Sequence, residues 1–165
     1  MYDLIILGGG PAGTAAAVYA ARKQLKTAII ASEFAGQSVV SETIYNWIGT
    51  PEITGTELAS NLKKHVLYYK GPFLDIVEGE LITDVKKDSN IITVKTESGK
   101  EYTSKTLLVS TGSSRRKLEV INSNIFENKG ITYCASCDGP LFIDQDVVVI
   151  GGGNSAFESS SQLLA

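Results

Sequence analysis

Six residues near the start of the chain constrain it most: Gly8-Gly9-Gly10-Pro11-Ala12-Gly13. They fit GxGxxG. An apolar run, Tyr2-Asp3-Leu4-Ile5-Ile6-Leu7, comes before them and an alanine-rich, helix-forming run follows. A glycine pattern between a strand and a helix demands a tight turn, a close approach of backbone to ligand, and close helix–strand packing, in that order along the motif. Gly8, Gly10 and Gly13 fill those three roles. Pro11 suits an early helical position, where its missing N–H is not needed. The free N–H groups and positive dipole of such a helix end suit a pyrophosphate. Residues 27–31 read as a second buried strand. Strand, helix and strand within about 30 residues imply parallel pairing and a right-handed crossover. Glu33 lies about 20 residues past Gly13, where a ribose-binding acid belongs. Dinucleotide binding follows as the expected role.

The same signal recurs at Gly151-Gly152-Gly153-Asn154-Ser155-Ala156. It follows the apolar run at residues 147–150 and matches GxGxxA, with Gly151, Gly153 and Ala156 at the patterned positions and Asn154 and Ser155 opening the helix. Two such turns predict two nucleotide-binding units. Between them, residues 34–51 read as loop. Residues 55–69 read as a helix, with Leu58, Leu62, Val66 and Tyr69 on one face and His65 a packing or surface residue. Residues 78–105 alternate apolar and polar around a Ser98-Gly99-Lys100 turn, which predicts a small antiparallel ribbon. Residues 106–110 read as a further short strand ending at Thr111-Gly112. Residues 113–129 are polar and irregular and read as a linker. A second strand–turn–helix begins at Asp146. The expected fold is therefore α/β: a Rossmann-like parallel sheet with a small antiparallel addition, then the start of a second Rossmann-like domain. The expected domains are residues 1–112, a linker at 113–129, and residues 130–165.

The chain has only two cysteines, in Cys134-Ala135-Ser136-Cys137-Asp138-Gly139-Pro140. Four readings compete. Zinc needs about four ligands, and the only histidine, His65, is remote in sequence. A structural disulfide would close a very small loop. Two inert thiols would share this spacing by coincidence. A redox-active pair fits best, because a CxxC disulfide exchanges readily and a helix start lowers a thiolate pKa. Asp138 adjoins Cys137 and is either a proton carrier or a cap or turn residue. Composition restricts the partners: a formal net charge of −3 gives no electrostatic pull toward nucleic acid. The apolar runs fall well short of the ~18 residues of a membrane span. With no signal peptide evident, the expected compartment is the cytosol.

Dinucleotide turn, linker, dithiol and second dinucleotide turn together resemble the family of low-molecular-weight thioredoxin reductase and the flavoprotein component of alkyl hydroperoxide reductase. The resemblance rests on the two glycine turns and on Gly36-Gln37, Asn46-Trp47-Ile48-Gly49, Thr111-Gly112, Lys129-Gly130-Ile131-Thr132-Tyr133-Cys134 and Cys137-Asp138-Gly139-Pro140-Leu141-Phe142. It implies FAD at the first turn, with Gly36, Gln37 and Asn46 along the cofactor toward its flavin. Thr111 and Gly112 close the site, and the backbone near Leu81 and Ile82 touches the adenine. NADPH or NADH is implied at the second turn. Cys137 would take electrons from the flavin, Cys134 would attack the disulfide of a thioredoxin-like or peroxiredoxin-like protein, and Asp138 would be the acid–base residue. A homodimer is implied for the full-length enzyme. Three departures stand out. Ser32 occupies the place of the ribose-binding acid, with Glu33 one later. Val120-Ile121-Asn122 replaces a Val-Pro-Gly hinge. A two-domain reductase needs about 300 residues against the 165 here, so a fragment or truncated chain is expected, with the apolar Leu163-Leu164 end exposed. Two rival functions remain at this level: a ferredoxin-dependent flavin disulfide reductase, and a flavin-binding remnant without turnover.

Overall fold

The computed structural model describes residues 1–165 except Ala35, Glu42, Ser114, Arg115, Asn128 and Ala165, and except the side chains of Val40 and Cys137. The chain divides into two compact units, residues 1–114 and residues 115–165.

The first unit is built on one six-stranded sheet. Its strands are β1 (Tyr2–Gly9), β2 (Thr27–Phe34), β3 (Leu74–Glu78), β4 (Ile82–Asp88), β5 (Ile91–Thr96) and β6 (Glu101–Val109), in the spatial order β3-β2-β1-β6-β5-β4. β3, β2, β1 and β6 run parallel, and β6-β5-β4 form an antiparallel meander. The α/β class and the small antiparallel addition are as the sequence implies. Helix α1 (Pro11–Arg22) crosses from β1 to β2, and α2 (Gly55–Tyr68) precedes β3.

Both faces of the parallel strands are covered, so their apolar residues run consecutively. Ile5, Ile6 and Leu7 are all buried, as are Ala28, Ile29 and Ile30. One face packs Ile6 and Ile29 against Ala17, Val18 and Ala21 of α1 and Val66 of α2. The other packs Ile5, Leu7, Ala28 and Ile30 with Val94 of β5. Each such isoleucine contributes about 1.5–3 kcal/mol by burial. Helix α1 is alanine-rich on its inner face, which lets it lie close to the sheet. Helix α2 starts at a Thr54-x-x-Glu57 cap, where the Thr54 hydroxyl accepts the Glu57 N–H at 3.2 Å, satisfying one orphan donor.

Several local expectations differ from the fold. The residue pattern predicts a ribbon edge and a separate strand over residues 101–110; they form one strand, β6. It pairs antiparallel with β5 through residues 101–104 and parallel with β1 through residues 104–109, so its pattern changes where its neighbours change. β3 has no counterpart among the strands that the pattern predicts. The loop at residues 34–51 contains a 3-10 helix, Gly36–Val40, and an isolated antiparallel bridge joins Ile44 to Ile53.

The described residues of the second unit form three short α-helices, α3 (Ser123–Phe126), α4 (Ala135–Asp138) and α5 (Asn154–Leu163), and a 3-10 helix, Gly139–Phe142, directly after α4. The expected linker thus carries a helical turn, α3, and the Leu118 N–H donates to the Tyr133 hydroxyl at 2.9 Å. Residues 147–150, expected as a strand, are not in a β ladder. A strand exists only through a hydrogen-bonded neighbour, and the described residues of this unit supply none. None of the described residues of this unit is buried. No helix among the described residues is long and apolar enough to cross a membrane.

Candidate functional site

The first glycine turn lies where the strand order reverses. From β1 the chain goes by α1 to β2 on one side, while β6 lies on the other. In an open α/β sheet, ligands bind in the crevice outside the strand ends at such a switch point. The end of β6 is tied there by Ser110, whose N–H and hydroxyl both donate to the Leu7 carbonyl, at 2.9 and 2.8 Å.

The glycines of the turn divide by what surrounds them. Gly8 has φ +104°, and a Cβ on it would stand 2.4 Å from the Ser110 carbonyl oxygen. A Cβ on Gly13 would stand 1.9 Å from the Gly8 carbonyl oxygen, so only glycine allows α1 to pack on the turn. Gly10 is different: a Cβ there would meet no atom within 4 Å. Its conformation (φ −72°, ψ −177°) is open to any residue. Packing does not require a glycine at this position; a close ligand would. Gly10 caps α1 without any side-chain hydrogen bond, and Pro11 follows at the start of the helix. The Thr14 hydroxyl turns inward, donating to the Gly10 and Pro11 carbonyls at 3.0 Å each. The helix end therefore presents its first N–H groups outward. An uncapped helix end, a bare Gly10 and the switch point together fit a dinucleotide pyrophosphate.

The structure brings Gly36 to this turn: a Cβ on it would come 3.5 Å from the Gly10 Cα. Gly36 and Gln37 open the 3-10 helix, which is seated on the start of α2. The Gly55 N–H donates to the Ser41 carbonyl at 3.0 Å, and a Cβ on Gly55 would stand 1.9 Å from the Ser38 carbonyl oxygen. Ser32 and Glu33 are both exposed at the end of β2. Between the pairs Leu7↔Ile30 and Gly9↔Phe34 the register shifts, with β2 carrying extra residues. That bulge breaks the alternation and turns two successive side chains outward. Thr111 and Gly112 are exposed just past Ser110, beside the same strand ends. Asn46 is exposed in the loop that the Ile44–Ile53 bridge closes; no described hydrogen bond takes it to the turn.

In the second unit, Cys134 caps α4 in an extended conformation and is disulfide-bonded. The Cys137 side chain lies outside the described residues. Thr132 links the remaining parts. Its hydroxyl donates to the Asp138 carboxylate and accepts the Cys134 N–H at 3.4 Å. The Asp138 N–H donates to the Cys134 carbonyl at 3.0 Å. Asp138 thus ends one helical turn and starts the next, and its carboxylate is tied through the Thr132 hydroxyl to the Cys134 backbone. Sequence reasoning misses Thr132 as a site residue; a small hydroxyl two residues before the first cysteine is its only signal. Helix α5 packs near this turn: the Ser136 hydroxyl donates to the Gln162 Oε1 at 2.9 Å.

The second glycine turn leads into α5 as expected. Gly151 has φ +144°, and Gly153 caps the helix with no side-chain hydrogen bond, its carbonyl accepting the Ala156 and Phe157 N–H groups at 3.0 and 3.3 Å. A Cβ on Gly151 would stand 3.2 Å from the Ala156 Cβ, and Gly153, like Gly10, faces open space. Asn154 and Ser155 are exposed on the first turn of α5. Among the described residues no group of three or more His, Cys, Asp or Glu is placed to hold a metal.

Comparison with known proteins agrees with this geometry. The pattern of the pyridine nucleotide-disulphide oxidoreductase family matches residues 2–165. An alkyl hydroperoxide reductase subunit of Staphylococcus epidermidis is 43% identical over 162 residues, covering 98% of this chain and 31% of that protein. Its namesake in Staphylococcus aureus is also 43% identical with the same coverage. Among solved structures, thioredoxin reductase from Streptococcus pyogenes superposes with a TM-score of 0.84 at 36% identity, covering 99% of this chain and 52% of that one. That of Lactococcus lactis gives 0.70 at 32% identity, covering 99% and 53%. The chain spans about a third of the curated relatives' length and about half of these solved ones.

Proposed function

Because this chain belongs to the pyridine nucleotide-disulphide oxidoreductase family, we propose that it serves a flavin-dependent disulfide reductase that passes electrons from NADPH or NADH, through FAD and Cys134/Cys137, to a thioredoxin-like or peroxiredoxin-like protein. Its working compartment is the cytosol and its full-length assembly a homodimer. The observation that carries the reading is the dithiol's local order: Cys134 already in a disulfide, with Thr132 holding both the Cys134 backbone and the Asp138 carboxylate.

In this reading Gly8, Gly10, Pro11, Ala12 and Gly13 form the pyrophosphate cradle. Ser32 or Glu33 takes the ribose, and Gly36, Gln37, Asn46, Thr111 and Gly112 line the rest of the FAD site. Gly151, Gly153, Asn154, Ser155 and Ala156 receive the nicotinamide dinucleotide. When bound, the flavin supplies a two-electron relay between nicotinamide and sulfur. Two electrons and two protons convert the Cys134–Cys137 disulfide to a dithiol, with Asp138 Oδ2 holding or delivering a proton at the Cys137 end. The Cys134 thiolate attacks a partner disulfide. An S–S bond forms between the two proteins, and the partner's other sulfur leaves as a thiolate and takes a proton. Cys137 then attacks Cys134 Sγ, restoring the internal disulfide and releasing the partner's second thiolate.

Replacement of Cys137 by Ser in the full-length enzyme tests this. FAD should stay bound and its absorbance should still bleach on mixing with NADPH, while reduction of a disulfide partner stops. Unchanged turnover would refute the assignment.

A further inference from the structure

We propose that Glu80 is a positioning residue for the adenosine end of the bound dinucleotide: its carboxylate fastens the turn at residues 96–100 to the segment 79–81, which passes the open end of β2. The proposal rests on the FAD site assigned above to the first unit.

The observations begin with burial. Glu80 is 8% exposed, and a carboxylate is rarely buried unless fully partnered. Here it is partnered. The Ser98 hydroxyl donates to both carboxylate oxygens, at 2.8 and 2.7 Å, and the Lys100 ammonium donates to Oε1 at 2.8 Å. These donors belong to the β5–β6 turn, far from residue 80 in sequence. The backbone is fastened as well: the Glu97 N–H donates to the Leu81 carbonyl at 2.8 Å.

The position gives this clamp its meaning. The Ala31 carbonyl, at the last buried residue of β2 before the bulge, accepts the N–H groups of Gly79 at 2.9 Å and Glu80 at 3.4 Å. Ser32 and Glu33, the exposed pair proposed above for the ribose, come next in the chain. Residues 79–81 therefore leave β3 along the strand end where a dinucleotide's adenosine belongs, and Leu81 stands 54% exposed there. A short segment without its own secondary structure would otherwise fluctuate. An ordered flank spares the ligand the entropy of ordering it.

The test compares ligands in the full chain. In Glu80→Gln, the dissociation constants for FAD and ADP, measured by fluorescence titration and competition, should rise by up to about tenfold, the cost of ordering the loosened flank on binding. FMN, which lacks adenosine, should compete as it does against the parent protein. Ser98→Ala removes one donor and should shift ADP in the same direction, and it carries the test if Glu80→Gln does not fold. Equal losses for ADP and FMN, or no change in either, would overturn the role of Glu80 while leaving the FAD site standing. A parent protein that takes up neither FAD nor ADP would overturn both.

Discussion

A methyl group at Gly13 would come within 1.9 Å of the Gly8 carbonyl oxygen, whereas one at Gly10 would meet no atom within 4 Å. The two alanine variants should therefore separate folding from binding. Gly13→Ala is expected to lose about 3 kcal/mol or more of stability, since backbone must move to make room. Gly10→Ala should unfold in denaturant within about 1 kcal/mol of the parent, yet bind FAD about ten to a hundred times more weakly, as ligand contacts to backbone donors lengthen. Equal FAD affinity in Gly10→Ala would deny that the open face is the pyrophosphate's. Glu80 gives a pH test of its own. Hydrogen bonds from Lys100, then Ser98 and Thr96, pull its pKa from 4.5 down to about 2. A depressed carboxylate contributes stability above its unfolded value that is lost as pH falls. The melting-temperature gap between the parent and Glu80→Gln should hold at neutral pH and narrow between about pH 4.5 and 2. The glycine roles are legible in the sequence because the motif is local. The partners of Glu80 are not, because residues 98 and 100 meet residue 80 only through the sheet.

At the scale of elements, the strands and helices that follow one period along their whole length are readable. β1, α1, β2 and α2 appear where the residue pattern puts them. β6 does not read as one strand, because residues 101–104 face an antiparallel neighbour and residues 104–109 a parallel one. β3 follows Gly71 and Pro72 closely and is only five residues long, too short to show a period. The apolar run at residues 147–150 looks like a strand but has no ladder; composition gives the tendency and a neighbour supplies the hydrogen bonds. The start of α2 yields a quantitative expectation. Thr54→Ala removes the cap on Glu57 and should cost about 1 kcal/mol in chemical denaturation. Gly55 also docks the 3-10 helix that carries Gly36 and Gln37, so fraying there should weaken FAD binding as well. A loss of stability with FAD affinity untouched would show that the 3-10 helix is held independently of the cap.

For the molecule as a whole, two glycine turns of the same kind suggest two comparable nucleotide-binding units, and the structure gives them very different interiors. The motif reports the chemistry of a turn and is silent about how much apolar surface lies behind it. In residues 1–114, two clusters cover both faces of the sheet, with Ile5, Ile6, Ile29, Ile30 and Val66 each at 0% exposure. In residues 115–165 no described residue is buried, and Ile121, Val148 and Phe157 are 93%, 82% and 69% exposed. Local stability follows buried apolar contact, and a helix of about ten residues is marginal without a packed face. Native-state hydrogen exchange on this 165-residue chain should therefore show two regimes. Amides of β1, β2, β6 and α1 should exchange only through global unfolding. Those of α5 and of the turn carrying Cys134 should exchange through local opening, several orders of magnitude faster on the scale that separates local from global events. Binding of FAD in the first unit should raise the protection of that unit by the linkage of ligand to folding. Uniform protection across both units would mean that the exposed apolar residues of the second are covered in solution, and the assignment of its low stability would fail.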